Sequence, residues 1–474
     1  MGADHLRRPA LPARPRARGP AQDVRRGGGA RRGRARPGRG ADPAHAPARR
    51  GGEGLPRGLR ARAARVRAHC ALVLAQTPVR GRRSAGGGGG HGVKELRGRL
   101  LLDGALVAGR IGIDKGLIAR IELEPNTRDA DSLPVIAPGL VDLHIHGFAG
   151  SDPLDDLGGM ARGLARHGTT AFQPTLFPRD PEALGADAER VWSAAQALAE
   201  TPAARVVGLH LEGPFINPEA AGALPVADLA PASVAGLRKI LGPATGDGRG
   251  IRTITLAPEI AGAGDLIREL VRAGVRVSLG HSRAKAAEAR AAARAGAVGA
   301  THLFNAMSGL HHREAGLVGV ALTESALFAE IIGDLTHVGA DAFEVALAAR
   351  GPEGLCLVSD ALRGAGTGCD VFHWHGREHI VRDGTSYYPP AEPGGEPQLA
   401  GTACSQLEMV RKLVKAGIAT VPEALTMASA TPARALDLDG ELGSIRVGAR
   451  ADLIALETPG LLLARSLVGG CDVI

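Results

Sequence analysis

The sequence is poor in cysteine, in aromatic residues and in long apolar runs. Its cysteines are scattered and include no Cys-x-x-Cys pair, which argues against a disulfide framework and against a structural zinc site. They are Cys70, Cys356, Cys369, Cys404 and Cys471. A reducing cytoplasm is therefore the expected compartment. No apolar run approaches the roughly 18 residues that cross a bilayer, and the apolar patch at residues 70–75 is shorter than a signal-peptide core.

Positive charge is confined to the first fifth of the chain. Residues 1–93 contain 22 arginines, no lysine and four acidic residues, a net charge of +18, whereas the other residues carry a net charge of −10. This first segment shows neither a helical nor a strand period. Its Arg, Gly, Ala and Pro residues cannot bury enough apolar surface to offset the entropy of ordering, so we expect a disordered extension.

The basic extension has a functional and a non-functional interpretation. An arm that binds nucleic acid would use such charge, but RNA-binding arms usually carry aromatic residues for stacking, and this segment has none. A tail without function, or a start codon assigned too far upstream, fits the composition better. If the extension does bind nucleic acid, the corresponding hypothesis for the whole chain is a nucleic-acid-associated protein whose folded part is an inactive scaffold.

From residue 100 onward the pattern becomes that of a folded α/β protein. Short β-like runs at 100–107 and 110–122 are followed by apolar runs that alternate with Ala-rich helical stretches such as 283–294. Eight such apolar runs over about 300 residues indicate a (β/α)8 barrel, since a doubly wound sheet usually has fewer strands. The predicted strands cover residues 140–144, 169–175, 205–211, 252–257, 275–279, 297–301, 328–333 and 355–359.

A second, smaller domain is expected beside the barrel. β-like character returns at residues 443–456, so we expect the two ends of the folded region to pair as a small β-sandwich domain. The predicted division is an extension at 1–93, the first part of the β domain at 94–137, the barrel at 138–438 and the second part of the β domain at 439–474.

Ionisable residues recur at the carboxyl ends of the predicted barrel strands, where barrel enzymes place their chemistry. A single histidine at such a place is usually structural, but six ligand-type residues at one rim indicate a metal site. They are His144, His146, Glu212, His281, His302 and Asp360. Imidazole and carboxylate ligands without thiolate suit Zn²⁺, Fe²⁺, Mn²⁺ or Co²⁺.

Other histidines and nucleophiles fit a site less well. His373 and His375 form a second His-x-His pair, but they lie in an alternating run at 371–381 that predicts a surface hairpin, so we assign them no metal. His210 shares a strand face with Glu212, and a structural role is expected for it. No Gly-x-Ser-x-Gly motif occurs, which leaves no strong case for a covalent hydrolase.

These motifs together carry a family resemblance. The runs APGLVDLHIH at 137–146 and GSIRVGARADL at 443–453 resemble the amidohydrolase superfamily. Within it, LHLEGPF at 209–215, GHS at 280–282, THLFNAM at 301–307, HHRE at 311–314 and VSDA at 358–361 resemble the N-acetylglucosamine-6-phosphate deacetylase family. The resemblance extends from about residue 100 to the end. It implies a metal-dependent deacetylation of N-acetylglucosamine 6-phosphate to glucosamine 6-phosphate and acetate, in amino-sugar catabolism.

The resemblance also implies a role for individual residues. Glu212, His281 and His302 match metal ligands, His144 and His146 match a pair found in members that hold a second metal, and Asp360 matches the catalytic acid and base. One or two divalent metals per subunit are therefore expected. The implied substrate contacts are Asn305, Ala306, Arg313, His337 and the backbone near Leu399. Because the family's arginine reaches the substrate of a neighbouring subunit, a homodimer is implied.

The chain departs from the family pattern at three places that bear on the substrate. Leu224 stands where a substrate-contacting histidine is usual, and Ala315 replaces a common proline. The stretch 369–398 is longer than expected and rich in aromatic residues. A deacetylase acting on N-acetylgalactosamine 6-phosphate, or on another N-acyl amine, is therefore the alternative enzyme.

Overall fold

Eight parallel strands, paired in chain order, form the barrel. The computed structural model describes residues 94–199, 201–242, 249–392 and 394–474, so the extension predicted at 1–93 lies outside the described residues. The barrel strands are Leu140–Ile145, Thr169–Leu176, Arg205–Val206 with Leu209–Glu212, Ile251–Leu256, Arg276–Leu279, Gly299–Ala300, Phe328–Ile332 and Leu355–Val358. A parallel bridge between Ile145 and Ala361 joins the first strand to the chain leaving the last. The predicted (β/α)8 barrel is therefore confirmed.

The barrel strands are continuous apolar runs because both of their faces are covered. Every residue of the first two strands is buried, as expected for parallel strands with helices outside and side chains inside. The helices are Leu157–Arg166, Pro181–Ala197, Val234–Leu241, Ala263–Arg272, Ala286–Arg294, Gly316–Thr323, Ala340–Arg350, Gln406–Lys415, Val421–Ala428 and Ala430–Ala435, with short 3-10 turns at Ala130–Ser132, Pro218–Ala220 and Val226–Asp228.

Side-chain caps fix where several of these helices begin. Asp180 accepts a hydrogen bond from the Glu182 amide at the start of the second helix. Ser405 and Glu408 form a reciprocal capping box at the start of Gln406–Lys415. Each cap satisfies amide groups that would otherwise lack a partner in the first helical turn.

Both ends of the described region join in one seven-stranded sheet. In spatial order its strands are Cys471–Asp472, Leu462–Val468, Leu453–Glu457, Val135–Pro138, Lys94–Leu102, Ala105–Asp114 and Leu117–Leu123. The sheet has its own apolar core, which includes Leu100, Ile111 and Leu453. The small β domain expected from the two ends of the folded region is confirmed.

Three strand predictions were wrong in detail. The run at 100–107 is not one strand, because Asp103 and Gly104 adopt positive φ angles of 46° and 76° and turn the chain into a hairpin. The third barrel strand is interrupted before Leu209, where Gly208 has a φ of 110°. The run at 443–456 is mostly turns, and only its end belongs to the strand Leu453–Glu457.

The aromatic-rich stretch forms a sheet of its own. Its four antiparallel strands are Val371–Trp374, Arg377–Arg382, Thr385–Tyr388 and Gln398–Thr402. The hairpin predicted at 371–381 is the first half of this sheet, but Trp374 is buried and not on the surface. Within the described ranges, no helix combines the length and apolar character that crossing a membrane requires.

Candidate active site

The predicted rim residues come together at the carboxyl ends of the barrel strands. His144 lies at the end of the first strand and His146 directly follows that strand, whereas Glu212 ends the third. The other three lie two residues beyond the fifth, sixth and eighth strands: His281, His302 and Asp360. These three have positive φ angles of 47°, 31° and 47°, a conformation that costs about 1–3 kcal/mol for a residue with a side chain. Such strain concentrates at functional sites, because the surrounding fold must enforce it.

Glu212 lies between two pairs of histidines. Its Oε1 atom is 2.9 Å from His281 Nε2 and 3.1 Å from His302 Nε2. On the other side, Glu212 Oε2 is 3.3 Å from His146 Nε2, and Glu212 Oε1 is 3.4 Å from His144 Nε2. The histidine nitrogens of each pair face one another at 3.2 Å and 3.0 Å. Two groups of three potential ligands therefore share one carboxylate.

The hydrogen bonds behind the ligands orient them for a cation. His281 Nδ1 donates to the Ala220 carbonyl oxygen at 2.9 Å, and His144 Nδ1 donates to Glu330 Oε2 at 3.1 Å. Because these oxygens only accept, Nδ1 carries a proton in both rings, and Nε2 is the ring atom that faces Glu212 and could bind a metal. Inward-facing imidazole nitrogens and a buried carboxylate, with no sulfur, are a donor set that fits a divalent metal of the zinc or iron type.

Charges within the cluster stabilise an ionised carboxylate at its centre. Burial raises the pKa of Glu212, but the charges of His144 and His281 outweigh burial and hold that pKa well below its usual value. Burial lowers the pKa of His144, yet Glu212 and Glu330 raise it overall, well above the usual value. Glu212 is thus an ionised carboxylate in a buried position, which is costly unless positive charge lies beside it.

Asp360 lies at the edge of this cluster and faces a cavity. Its Oδ1 atom is 3.5 Å from His146 Nε2 and 3.7 Å from His144 Nε2. Its amide donates to the His144 carbonyl oxygen, and its own carbonyl oxygen accepts from the Thr402 amide. The backbone therefore fixes the carboxylate beside the first histidine pair.

The cavity above the cluster has a volume of about 420 Å³. Four of the five residues predicted to contact substrate line it, namely Asn305, Ala306, His337 and Leu399. Leu224 lines it as well, so an apolar side chain occupies the place expected of a histidine. The fifth predicted contact, Arg313, is not among the lining residues. It is exposed and donates to His312 Nε2 at 2.7 Å.

His337 is held in the cavity wall by a carboxylate. Its Nδ1 donates to Asp334 Oδ2 at 2.8 Å, and the same oxygen accepts from the Thr385 hydroxyl. Burial lowers the pKa of His337, but the hydrogen bond and charge of Asp334 raise it overall. For Asp334, burial raises the pKa, and His337 outweighs it and lowers the pKa to about 2. The pair is therefore an ion pair with the imidazole at the cavity.

Two residues of the site were missed in the sequence. Glu330 is buried and orients His144, and its signal is a charged residue in the middle of an otherwise apolar barrel strand. Phe177 lies parallel to the His146 ring, with centroids 4.0 Å apart and planes 3° apart. Only its position just after the second barrel strand could have drawn attention to Phe177.

The histidines that were left unassigned have ordinary surroundings, with one exception. His210 donates to the Leu143 carbonyl oxygen and accepts from the Thr255 hydroxyl, so both its nitrogens are engaged, and burial lowers its pKa to about 4. His373 is exposed. His375, the exception, lines a second cavity beside the one described here.

Comparison with known proteins gives one family. A family model described as the amidohydrolase family matches residues 135–470. A curated relative from Escherichia coli O157:H7, named N-acetylgalactosamine-6-phosphate deacetylase, is 36% identical over 369 residues and is matched over 95% of its length and 77% of this chain. A relative from Bacillus subtilis (strain 168), named N-acetylglucosamine-6-phosphate deacetylase, is 33% identical over 364 residues, with 89% and 74% covered.

Solved structures of high similarity carry the second of these names. The crystal structure of N-acetylglucosamine-6-phosphate deacetylase from Pasteurella multocida is 28% identical, with a TM-score of 0.70, and covers 80% of this chain and 99% of that one. A Mycobacterium smegmatis structure of the enzyme in complex with N-acetyl-D-glucosamine-6-phosphate is 27% identical, also with a TM-score of 0.70, and covers 81% and 99%.

Proposed function

The chain belongs to the amidohydrolase family, and on that premise we propose that it is a metal-dependent deacetylase of N-acetylglucosamine 6-phosphate. The products are glucosamine 6-phosphate and acetate. The observation that carries the proposal is Glu212 between two histidine pairs, with Asp360 beside them at the floor of a cavity. The names of the relatives supply the substrate class.

Different residues of the chain would bind the metal and transfer the proton during hydrolysis. Glu212, His281 and His302, with His144 and His146, would hold one or two divalent cations, whose Lewis acidity acidifies water and polarises an amide carbonyl. Asp360 accepts the proton of the attacking water at a carboxylate oxygen. It then delivers that proton to the amine nitrogen as the carbon–nitrogen bond breaks.

The cavity walls position the substrate for this step. His337, charged and fixed by Asp334, can donate a hydrogen bond from Nε2 to a substrate oxygen. Asn305 and Ala306 also line this cavity, and the family resemblance assigns them contacts to the sugar phosphate. Zn²⁺, Fe²⁺, Mn²⁺ and Co²⁺ all suit the donor set, and elemental analysis of the purified chain would identify the metal.

Acetate release from three sugars tests the proposal. The chain, loaded in turn with each defined metal, is assayed on N-acetylglucosamine 6-phosphate, on N-acetylgalactosamine 6-phosphate and on unphosphorylated N-acetylglucosamine. The expected result is turnover of the first sugar that a chelator abolishes, with a much lower kcat/KM for the unphosphorylated sugar. No acetate release from either phosphate with any of the metals would refute the proposal.

N-Acetylgalactosamine 6-phosphate is the second candidate substrate. It is favoured by the E. coli relative of that specificity and by Leu224, which alters the cavity wall. The two sugars differ only in configuration at C4, so a higher kcat/KM for the galactosamine compound would select it. The nucleic-acid hypothesis has less support, because all six rim residues are present and adjacent.

A homodimer in the cytoplasm completes the proposal. Arg313 is exposed and is not among the residues that line the cavity of its own chain, which suits a residue that serves the cavity of a second copy. Its planar guanidinium can bind a phosphate in a bidentate manner.

A cytoplasmic location is supported by the unpaired state of the four described cysteines.

A further inference from the structure

A second cavity adjoins the candidate active site. It has a volume of about 400 Å³, and its walls share His146, Phe177, Ala223 and Ala400 with the cavity above the metal ligands. These four residues therefore stand between the two spaces. Part of the remaining wall comes from the aromatic-rich sheet, through residues such as Trp374 and Tyr388, so we call this space the aromatic cavity.

Aromatic side chains are concentrated in these walls although the protein has few of them. The whole sequence contains two tryptophans, two tyrosines and eight phenylalanines, yet Trp374, Tyr388 and Phe177 all line this cavity. Phe177 is stacked on His146, and the Trp374 ring centroid is 5.3 Å from that of Phe177. Trp374 is fixed by a 2.9 Å hydrogen bond from Nε1 to Asp152 Oδ2. The walls are thus a built, largely apolar surface that begins at a metal ligand.

The chemistry of an amide explains why such a space would lie there. An amide carries one group on its nitrogen and another on its carbonyl carbon, and both extend from the reacting bond. Under the proposed function, the sugar on the nitrogen lies with Asn305, Ala306 and His337. The acyl group must then extend from the ligand cluster in another direction, and the aromatic cavity adjoins that cluster, since His146 lines both spaces.

We propose that the aromatic cavity binds the acyl group of the substrate and admits apolar acyl groups larger than acetyl. The inference rests on the proposed function and extends its substrate class to N-acyl hexosamine 6-phosphates such as the phenylacetyl compound. A cavity of roughly 150 Å³ already accepts benzene. In the reaction, the water oxygen bonds to the carbonyl carbon, the carbon–nitrogen bond breaks and the amine receives a proton, so no further reactant is needed.

The two arginines that line this cavity favour an uncharged acyl group, as do the carboxylates of Asp152 and Asp228 in the same wall. Arg179 is paired with Asp187 at 2.5 Å, and Arg377 lies over the Tyr388 ring at 3.8 Å from its centroid. Both cations are therefore engaged by the protein. An acyl group that ended in a carboxylate would have to displace one of these contacts.

The test compares N-acetyl, N-butanoyl and N-phenylacetyl glucosamine 6-phosphate as substrates of the full, metal-loaded chain. We expect the phenylacetyl compound to have a kcat/KM within about tenfold of the acetyl compound, because its ring is buried in apolar surroundings. Leu154 is half-buried and lines only the aromatic cavity. Leu154→Trp should fill it and lower kcat/KM for the phenylacetyl compound about 10- to 100-fold, with the acetyl compound within about twofold.

Two further variants serve as a control for added bulk and as a second test of the acyl site. Val345→Trp adds the same bulk on an exposed face of the helix Ala340–Arg350 and should change none of the three kcat/KM values. If Leu154→Trp does not fold, Tyr388→Ala decides, because removing this wall should slow the phenylacetyl compound alone.

The outcomes separate the two proposals. Hydrolysis of the acetyl compound alone would overturn the acyl site and leave the deacetylase intact. An equal loss for all three compounds in Leu154→Trp would also overturn it, since the cavity would then be a passage to the active site. Failure of all three compounds with the unaltered chain would refute the proposed function and this inference together.

Discussion

At the residue scale, the buried carboxylate of Glu330 determines how His144 can act. Burial raises the pKa of Glu330, but the hydrogen bond from His144 and the charges of the surrounding histidines together lower it overall, so the carboxylate is ionised. An ionised acceptor on Nδ1 makes Nε2 a better ligand and fixes the ring orientation. Glu330 thus holds the His144 ring in position, and it lies on the seventh barrel strand, with only the eighth strand between it and the first.

The Glu330→Gln variant should bind metal about 10- to 100-fold more weakly, because the amide removes the charge but keeps nearly the same shape. Competition with a chelator measures the affinity directly. Glu212→Ala gives the reference for complete loss, and Glu344→Gln, on an exposed helix face, is the control. Equal affinities for Glu330→Gln and the unaltered chain would mean that the contact with His144 is only structural.

Asp334 and His337 should give a stability difference that depends on pH. Asp334 has a pKa of about 2, compared with a usual value of 3.8. Its ionised carboxylate therefore stabilises the fold at pH values above 3.8, and this stabilisation is lost as the pH falls towards 2. His337, whose pKa is raised from 6.5, stabilises the fold below that pH and loses the effect as the pH rises through its raised pKa. The two shifts describe one interaction, worth on the order of 2 kcal/mol.

The variant Asp334→Asn reveals that interaction. The difference in the free energy of unfolding between it and the unaltered chain, measured by urea titration, should be greatest between about pH 4 and 6.5. In the same variant the His337 imidazole, followed by NMR, should titrate at a lower pH. A stability difference that is constant from pH 3 to pH 9 would contradict the ion pair.

At the element scale, the apolar runs identify the barrel strands well because parallel strands are buried on both faces. All eight predicted strands occur, with ends that move by a few residues, and the sixth shrinks to Gly299–Ala300. The failures share a cause, which is local backbone geometry that apolar periodicity does not report. The turn at Asp103 and Gly104 is an example, since its residues permit positive φ angles inside an apolar run.

The residues of the candidate site divide in the same way, into those that a sequence pattern indicates and those that only contacts in the folded chain reveal. His144, His146 and Asp360 are recognisable because their positions at strand ends imply a common rim. Glu330 could not be predicted from the sequence, because its function depends on a contact with a strand that is distant in the sequence. The aromatic cavity could not be predicted for the same reason, since Phe177 and Trp374 meet only in the folded chain.

The aromatic-rich sheet should depend on the bond between Trp374 and Asp152. Trp374→Phe keeps most of the ring but leaves a buried carboxylate oxygen without its donor, which should cost about 1–3 kcal/mol. Thermal unfolding and hydrogen exchange of the strands Val371–Trp374 and Arg377–Arg382 measure the effect. Trp192→Phe is the matched control, because the Trp192 indole nitrogen has no partner among the described residues. Equal effects of the two variants would contradict the assignment.

At the scale of the whole molecule, the position of Arg313 predicts cooperation between two subunits. If Arg313 serves the partner's cavity, Arg313→Ala and Asp360→Asn should each lose most activity alone. A mixture in which subunits exchange should regain about a quarter of the unaltered activity, because half of the dimers are mixed and each has one complete site. No recovery in subunits that are shown to exchange would place Arg313 outside the partner's site.

The charge of the whole chain carries less information than its local arrangement. The net charge of +8 combines a basic segment at 1–93 with an acidic remainder, and the residues proposed to bind an anionic sugar all lie in the acidic part. The expected recognition of phosphate therefore depends on a few placed groups, such as Arg313 and His337.

The predicted domain boundaries at residues 93, 137 and 438 stay predictions.

The central claim is that Asp360 moves the proton in a hydrolysis for which the histidine and glutamate cluster holds the metal. Its most direct test is acetate release from N-acetylglucosamine 6-phosphate by Asp360→Asn, with the metal content of the same sample determined by elemental analysis. The expected result is an unchanged metal content and a turnover lower by about 10² to 10⁴-fold. Unchanged turnover at full metal content would contradict it.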